Sequence, residues 1–221
     1  MHALIALWFS WLKSWGYAGV MVLMALESTV LPVPSELVIP PAAFWAAQGK
    51  FNFWGVVLSA IVGSYIGSAI SYGVMRWAQA FVARKFGGVP LVGAEKMKSL
   101  EAWVERFGAP GVFFARLLPV VRHLISIPAG IFKMNFARFS VATLLGSALW
   151  CYVLALFGEK IIGPHPELMN SPEEMIAAVR TEARGFLFAI VGFFILYVFV
   201  EFLRRRILTR PAKETVGSVV K

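Results

Sequence analysis

The chain has 221 residues, of which 59% are hydrophobic and only 15% charged, and its mean hydropathy is +0.73. This excludes a single soluble domain: the long charge-free runs read as membrane spans of a small polytopic protein. The net charge of +9 raises nucleic acid as a partner, but no RRM, zinc or helix-turn-helix pattern accompanies it, and basic flanks are expected on cytoplasmic loops facing anionic lipid.

The N-terminus lacks a basic n-region and a cleavage site before an apolar core, so it does not read as a signal peptide. Between residues 4 and 15, Leu4, Leu7, Trp8, Trp11, Leu12 and Trp15 share one face and Ser10, Lys13 and Ser14 another, the pattern of an interfacial amphipathic helix. From Ser14 to Gly49 only Glu27 and Glu36 are charged, and Pro32, Pro34, Pro40 and Pro41 interrupt the run. A helix cannot continue through LPVPSE. At 1.5 Å per residue the run would make about 54 Å of helix, enough for two arms that enter the membrane and return, with both glutamates at depth.

Phe51 to Met75 carries no charge and four glycines, Gly55, Gly63, Gly67 and Gly73, which predicts a full span with a small-residue face. Arg76, Arg84, Lys85, Lys96, Lys98 and Arg106 follow and place the next connection in the cytoplasm. Within it Met97, Leu100, Trp103, Val104 and Phe107 recur at helical spacing, predicting a second interfacial helix.

The stretch from Phe113 to Gly130, FFARLLPVVRHLISIPAG, places Arg116, Arg122, Pro119 and Pro128 inside an apolar run. One arginine at the bilayer centre costs at least about 3 kcal/mol, and each interior proline removes a backbone hydrogen bond that lipid cannot replace. Basic flanks at Arg106 and Lys133 favour a second re-entrant hairpin, whose arms of about 12 residues would each reach about 18 Å, past the midplane. Charge beside broken helix at membrane depth points to a functional site.

Phe139 to Gly158 is a further span. The connection that follows it, on to Arg184, suits the outer side, Gly185 to Leu203 crosses back, and Arg204, Arg205, Arg206, Arg210 and Lys213 hold the C-terminus in the cytoplasm. Glu201 snorkels or pairs with that cluster. The chain is also internally repeated. WGYAGV (15–20) matches FGAPGV (107–112), and GKFNFWGVVLSAIVGS (49–64) matches FKMNFARFSVATLLGS (132–147), pairing Lys50 with Lys133, Asn52 with Asn135, and Gly63-Ser64 with Gly146-Ser147. The expected fold class is an all-α polytopic membrane protein. It is an inverted repeat of amphipathic helix, re-entrant helical hairpin and transmembrane helix, followed by a C-terminal transmembrane helix. The expected organisation is a membrane domain over 1–160 with repeats at about 4–82 and 95–160, an external connection over 161–184, a transmembrane helix over 185–206 and a tail over 207–221. Inverted repeats with broken helices at their interface are a transporter architecture.

E-x4-P-x-P-S-E from Glu27 to Glu36, the glycine- and tyrosine-bearing run from Gly63 to Gly73, and F-x-R-x2-P-x2-R from Phe114 to Arg122 with P-A-G at Pro128 to Gly130 resemble the DedA family, also called the SNARE-associated or VTT-domain family. The resemblance covers roughly residues 10 to 160. It implies a multi-pass protein of the bacterial inner (plasma) membrane that moves lipids between leaflets, with undecaprenyl phosphate and phospholipids as family substrates and dependence on proton motive force in some members. It also implies that Glu27, Glu36, Arg116 and Arg122 are functionally required. The acidic pair is more closely spaced here than is usual for the family, and Ser35 stands where glycine is common.

The residue chemistry agrees. Arginine keeps its charge when buried and grips phosphate through a planar fork, so Arg116 and Arg122 suit a lipid head group, with His123 as a further candidate ligand. Glu27 and Glu36 are the candidate proton-coupling residues, and Pro32, Pro34, Pro119, Pro128 and Gly130 the candidate helix breaks and hairpin turns. A static Glu–Arg cluster that only joins the hairpins is the structural alternative. The expected partners are membrane lipids with an anionic phosphate head group, and protons; a homo-oligomer is left open. His2, His123 and His165 lack metal-ligand spacing, and no cofactor or metal is expected. Tyr65 and Tyr72 read as packing residues that could hydrogen-bond across helices, with packing favoured. A lipid phosphatase or other lipid-modifying enzyme would need a nucleophile or metal that the sequence does not offer, since Ser35 and Ser126 lack a G-x-S-x-G pattern or a His/Asp partner. A proton-coupled exporter of small cations would face two repelling arginines. Lipid translocation leads.

Overall fold

A computed structural model describes residues 2–29, 34–85, 106–118 and 121–164, together with isolated helical positions between 174 and 198. Among the described residues all regular structure is helical. Helix α1 (His2–Trp15) carries the aromatic face read from the sequence, with Trp11 and Trp15 stacked at 5.5 Å. Gly16, at φ 55°, reaches a left-handed turn that a side chain would strain, and so admits α2 (Tyr17–Glu27) at an angle to α1. After α2 the chain resumes in a 3-10 turn, Ser35–Leu37, and α3 (Ile39–Ala47). Pro40 and Pro41 do not break this arm as the sequence suggests; they open α3, where the missing N–H groups have no partner to lose.

Asn52 caps α4 (Phe53–Lys85) by accepting the N–H of Gly55 at 3.1 Å. The helix runs ten residues beyond Met75, through the basic positions Arg76, Arg84 and Lys85. Helix α5 (106–116), α6 (Val121–Leu124) and α7 (Ser126–Ile131) form the arginine-bearing hairpin. Asn135 then caps α8 (Phe136–Phe157) through the N–H of Arg138 at 3.2 Å, and one π-helical turn, Gly158–Ile162, follows.

Two stretches, Phe53–Phe81 and Phe136–Lys160, are long and apolar enough to cross a membrane. On α4 the exposed side chains Trp54, Leu58, Val62, Ile66, Ile70, Val74, Trp77 and Phe81 recur every three or four residues, an outward stripe that lipid accommodates and water does not. The opposite face is small. A Cβ on Gly63 or Gly67 would collide with the backbone of Met21 or Ala25, so only glycine lets α2 lie this close on α4. Gly146 on α8 does the same for Phe113 and Arg116 of α5. The returning arms cross over: α7 packs on α4, with Gly130 against Tyr72, and α3 packs on α8, with Gly158 against Pro40. Each hairpin thus straddles the α4–α8 pair.

In both hairpins the start and the end lie together. Tyr17 at the start of α2 meets Phe51 after α3 at 5.4 Å, and Lys13 lies 5.9 Å over Trp45. Ala109 and Val112 share a core cluster with Ala129 and Met134. Other features recur between the halves. Gly16 and Gly108 both take positive φ, Asn52 and Asn135 both cap, and Ser64 meets its counterpart Ser147 at 3.2 Å between Oγ atoms. One pairing differs from the sequence match. The left-handed residues ending α3 and α7 are Gly49 (φ 76°) and Lys133 (φ 52°), each donating its N–H to the carbonyl three residues back. Lys133 therefore corresponds to Gly49, not Lys50, because the link to the second cap is one residue shorter.

Tyr65 and Tyr72 do more than pack: the Tyr65 hydroxyl lies 3.0 Å from Ser140 Oγ, and Tyr72 donates to the Met134 carbonyl at 2.5 Å while accepting from Arg76 at 2.8 Å. Of the second interfacial helix expected from Met97 to Phe107, residues 97–105 lie outside the described residues and Phe107 falls in α5; the tail, and most of the external connection and of the C-terminal span, also lie outside them.

Candidate functional site

Described residues that flank the turns of the two hairpins meet. Glu27 is the last residue of α2, its side chain buried where the chain must leave the helix before the prolines. Its Oε1 accepts from Arg122 Nη2 on α6 in an ion pair, and also from the backbone N–H of Ser35 at 3.1 Å. Its Oε2 is buried and has no hydrogen-bond partner among the described residues. Arg122 is itself buried, with its guanidinium carbon 5.2 Å from the centre of the Trp150 ring on α8. Trp150 donates its indole N–H to Ser35 Oγ at 3.3 Å, and Ser35 Oγ lies 3.4 Å from Glu36 Oε2.

Arg116 ends α5 and is as deeply buried as Glu27. Its Nη2 donates to Ser126 Oγ at 2.7 Å, and its Nε is buried without a partner among the described residues. Two guanidinium groups therefore lie in the interior against one fully buried carboxylate, and among the described residues Arg116 has no ion-pair partner. Removing a cation from water costs several kcal/mol that one neutral hydroxyl does not recover, so the arrangement favours an anion beside Arg116. The Arg116 Nε–H is a further donor that no described residue engages.

Of the residues singled out from sequence, the fold joins Glu27 directly to Arg122, reaches Glu36 through Ser35, and holds Arg116 through Ser126. Glu36 and His123 are half-buried, His123 next to Arg122 on α6. Pro34 precedes the 3-10 turn; Pro32 and Pro119 lie outside the described residues. Pro128 and Gly130 sit not in the turn but in α7, Pro128 within its first turn and Gly130 against α4.

Sequence reasoning missed Trp150 and the role of Ser35, and gave Ser126 no role. Trp150 reads in sequence as one more aromatic of an apolar span. Only the tertiary fold places it between the arginine and the serine. Beside this cluster runs a buried hydroxyl line: Ser28 to Ser64 at 3.0 Å, Ser64 to Ser147 at 3.2 Å, and Ser71 to the Ser28 carbonyl at 3.2 Å. These bonds tie α2, α4 and α8 together where lipid offers no competing partner.

The sequence is similar to those of several bacterial proteins. The chain is 33% identical over 158 residues to "Undecaprenyl phosphate transporter A" of Bacillus subtilis (strain 168), covering 72% of this chain and 78% of that protein. It is 28% identical over 200 residues to an "Alkaline phosphatase-like protein" of Lactococcus lactis subsp. lactis (strain IL1403), covering 88% and 90%. It is 26% identical over 200 residues to "Undecaprenyl phosphate transporter A" of Staphylococcus aureus (strain NCTC 8325 / PS 47), covering 88% and 94%. No solved structure matches the chain significantly. The VTT domain family model matches residues 33–160, more than half of the chain and all of the second hairpin with both long helices, and the chain belongs to the VTT-domain, or DedA, family of membrane proteins.

Proposed function

We propose that the protein carries a phosphate-bearing lipid, such as undecaprenyl phosphate or a phospholipid, between the leaflets of the bacterial inner membrane. The observation that carries this reading is the pair of buried arginines, one bound to a carboxylate and one with an unpartnered donor, where the two hairpins touch. Arg116 and Arg122, with His123 beside them, hold the head group, and the lipid tail stays in the bilayer. Phosphate and Glu27 compete for Arg122, so arrival of the lipid releases a carboxylate that can take a proton. Glu36, linked through Ser35, is the second proton-sensitive group.

The recurring caps, glycine contacts and Ser64–Ser147 bond support an inverted repeat whose hairpins enter from opposite faces. In this topology the connection between α4 and α5 is cytoplasmic, as is the C-terminus. The names of the Bacillus and Staphylococcus relatives support a lipid-carrier substrate.

The test is reconstitution in vesicles holding fluorescent phosphate-monoester and choline lipids. The reading requires leaflet exchange of the phosphate lipid that outpaces both the choline lipid and empty vesicles. Release of inorganic phosphate from the same lipid, without exchange, would instead favour the phosphatase reading that the Lactococcus relative's name suggests.

A further inference from the structure

Around the Glu27–Arg122 pair the contacts close into a ring that runs through four separate elements, α2, the 3-10 turn, α6 and α8. Glu27 Oε1 takes Arg122 Nη2; Arg122 lies on the Trp150 ring at 5.2 Å; Trp150 Nε1–H donates to Ser35 Oγ at 3.3 Å; and the Ser35 N–H returns to Glu27 Oε1 at 3.1 Å. Every member is buried, with Trp150 2% exposed. A flexible arginine in a low-dielectric interior needs a surface to fix the plane of its fork, and an indole face supplies attraction without competing for the N–H donors. An indole N–H so buried also requires an acceptor, and here that acceptor belongs to the first hairpin, not to the arginine's own.

We propose that Trp150 is a positioning residue for phosphate recognition. It sets the plane of the Arg122 guanidinium from α8, and its bond to Ser35 keys that plane to the hairpin that carries Glu27. The inference rests on the reading of Arg122 as a phosphate ligand. It makes Ser35 more than a tolerated replacement of a turn residue: the hydroxyl is the acceptor without which the indole N–H is orphaned, while the backbone N–H alone serves Glu27. Trp150 touches no phosphate itself. Its loss should therefore raise the apparent KM for lipid and leave the maximal rate of exchange nearly unchanged.

The test is a set of variants, Arg122→Ala, Trp150→Phe, Trp150→Leu, Ser35→Ala and Trp150→Phe/Ser35→Ala, titrated in dodecyl maltoside with dodecyl phosphate and, as a neutral control, dodecanol. Thermal unfolding identifies any variant that fails to fold. Trp150→Phe keeps a benzene ring but loses the N–H together with the five-membered half of the indole, so binding should weaken at least roughly 3- to 10-fold, the worth of one buried hydrogen bond. Trp150→Leu should weaken it further. Ser35→Ala should weaken binding by roughly 3- to 10-fold through loss of the same bond, and the double variant should bind no worse than Trp150→Phe alone, because the bond is already gone there. Unchanged dodecyl phosphate affinity in Trp150→Leu, or additive losses in the double variant, overturns the positioning role while leaving the arginine site standing if Arg122→Ala abolishes binding. Full binding by Arg122→Ala removes the site and this role together.

Discussion

Replacing Glu27 by glutamine should make the protein bind phosphate more tightly, an unusual outcome for a change in a binding site. In the structure Glu27 occupies Arg122 through a buried ion pair, so a phosphate must displace a carboxylate before it gains that fork. Charge-assisted hydrogen bonds are worth about 1.5–3 kcal/mol, roughly twice neutral ones. Glutamine keeps an acceptor and removes the charge, so about 1–2 kcal/mol of competition should disappear, equivalent to roughly 5- to 30-fold tighter binding. The same reasoning fixes the sign of the pH effect. Protonating Glu27 does what glutamine does, so acid should strengthen binding in the wild-type protein and add little in Glu27→Gln. Calorimetric titration with dodecyl phosphate in acidic and alkaline buffer reads both quantities, and the difference between the two proteins cancels the probe's own titration. Weaker binding by Glu27→Gln, or an identical pH profile in the two proteins, would refute the competition and leave Glu27 as a structural clamp.

Arg116→Lys and Arg122→Lys should each slow phosphate-lipid exchange in vesicles at least tenfold with normal membrane insertion, since an ammonium lacks the bidentate fork; full activity in both would reduce the requirement to bare charge. Glu36→Gln should flatten the dependence of exchange on membrane potential, because one proton crossing the full potential supplies about 2.3 kcal/mol per 100 mV; an unchanged response in flux assays marks an uncoupled scramblase. Gly146→Leu should abolish exchange and lower thermal stability, as even a Cβ there would lie 2.6 Å from Arg116 Cβ; wild-type melting and exchange would mean that α5 does not lean on α8. Single cysteines at Pro90 and Asn135 should label from the same side of intact cells, whereas labelling from opposite sides would mean that the second arginine segment crosses the membrane.

Much of this fold was legible because the bilayer punishes exceptions. Arginine and proline in an apolar run cannot face lipid, so Arg116, Arg122 and Glu27 announced an interior site before any contact was known. Asn52 and Asn135, paired by sequence, do share a role, because capping depends only on local spacing. Register at the helix ends was less legible: Lys50 and Lys133 align by identity, but the left-handed position falls on Gly49 in one half and Lys133 in the other, a choice made by chain length rather than residue type. Pro40 and Pro41 misled for a related reason, since a proline reads as a break whether it ends a helix or begins one. Trp150 and Ser35 were illegible as partners, because a tryptophan in a span is ordinarily a packing or interfacial residue and their hydrogen bond joins positions 115 residues apart.

The distance from arginine nitrogen to bound phosphorus decides whether the buried arginines hold phosphate. Protein labelled with nitrogen-15 at arginine, held in dodecyl maltoside free of phospholipid and saturated with dodecyl phosphate, should show nitrogen–phosphorus dipolar dephasing in solid-state NMR, with hydrogen-bonded separations of about 3–4 Å. This signal should be present in the wild-type protein and disappear in the Arg116→Lys/Arg122→Lys variant. A signal that survives in the double variant, or none in the wild-type protein under saturating probe, would contradict the assignment of the buried arginines as the phosphate site.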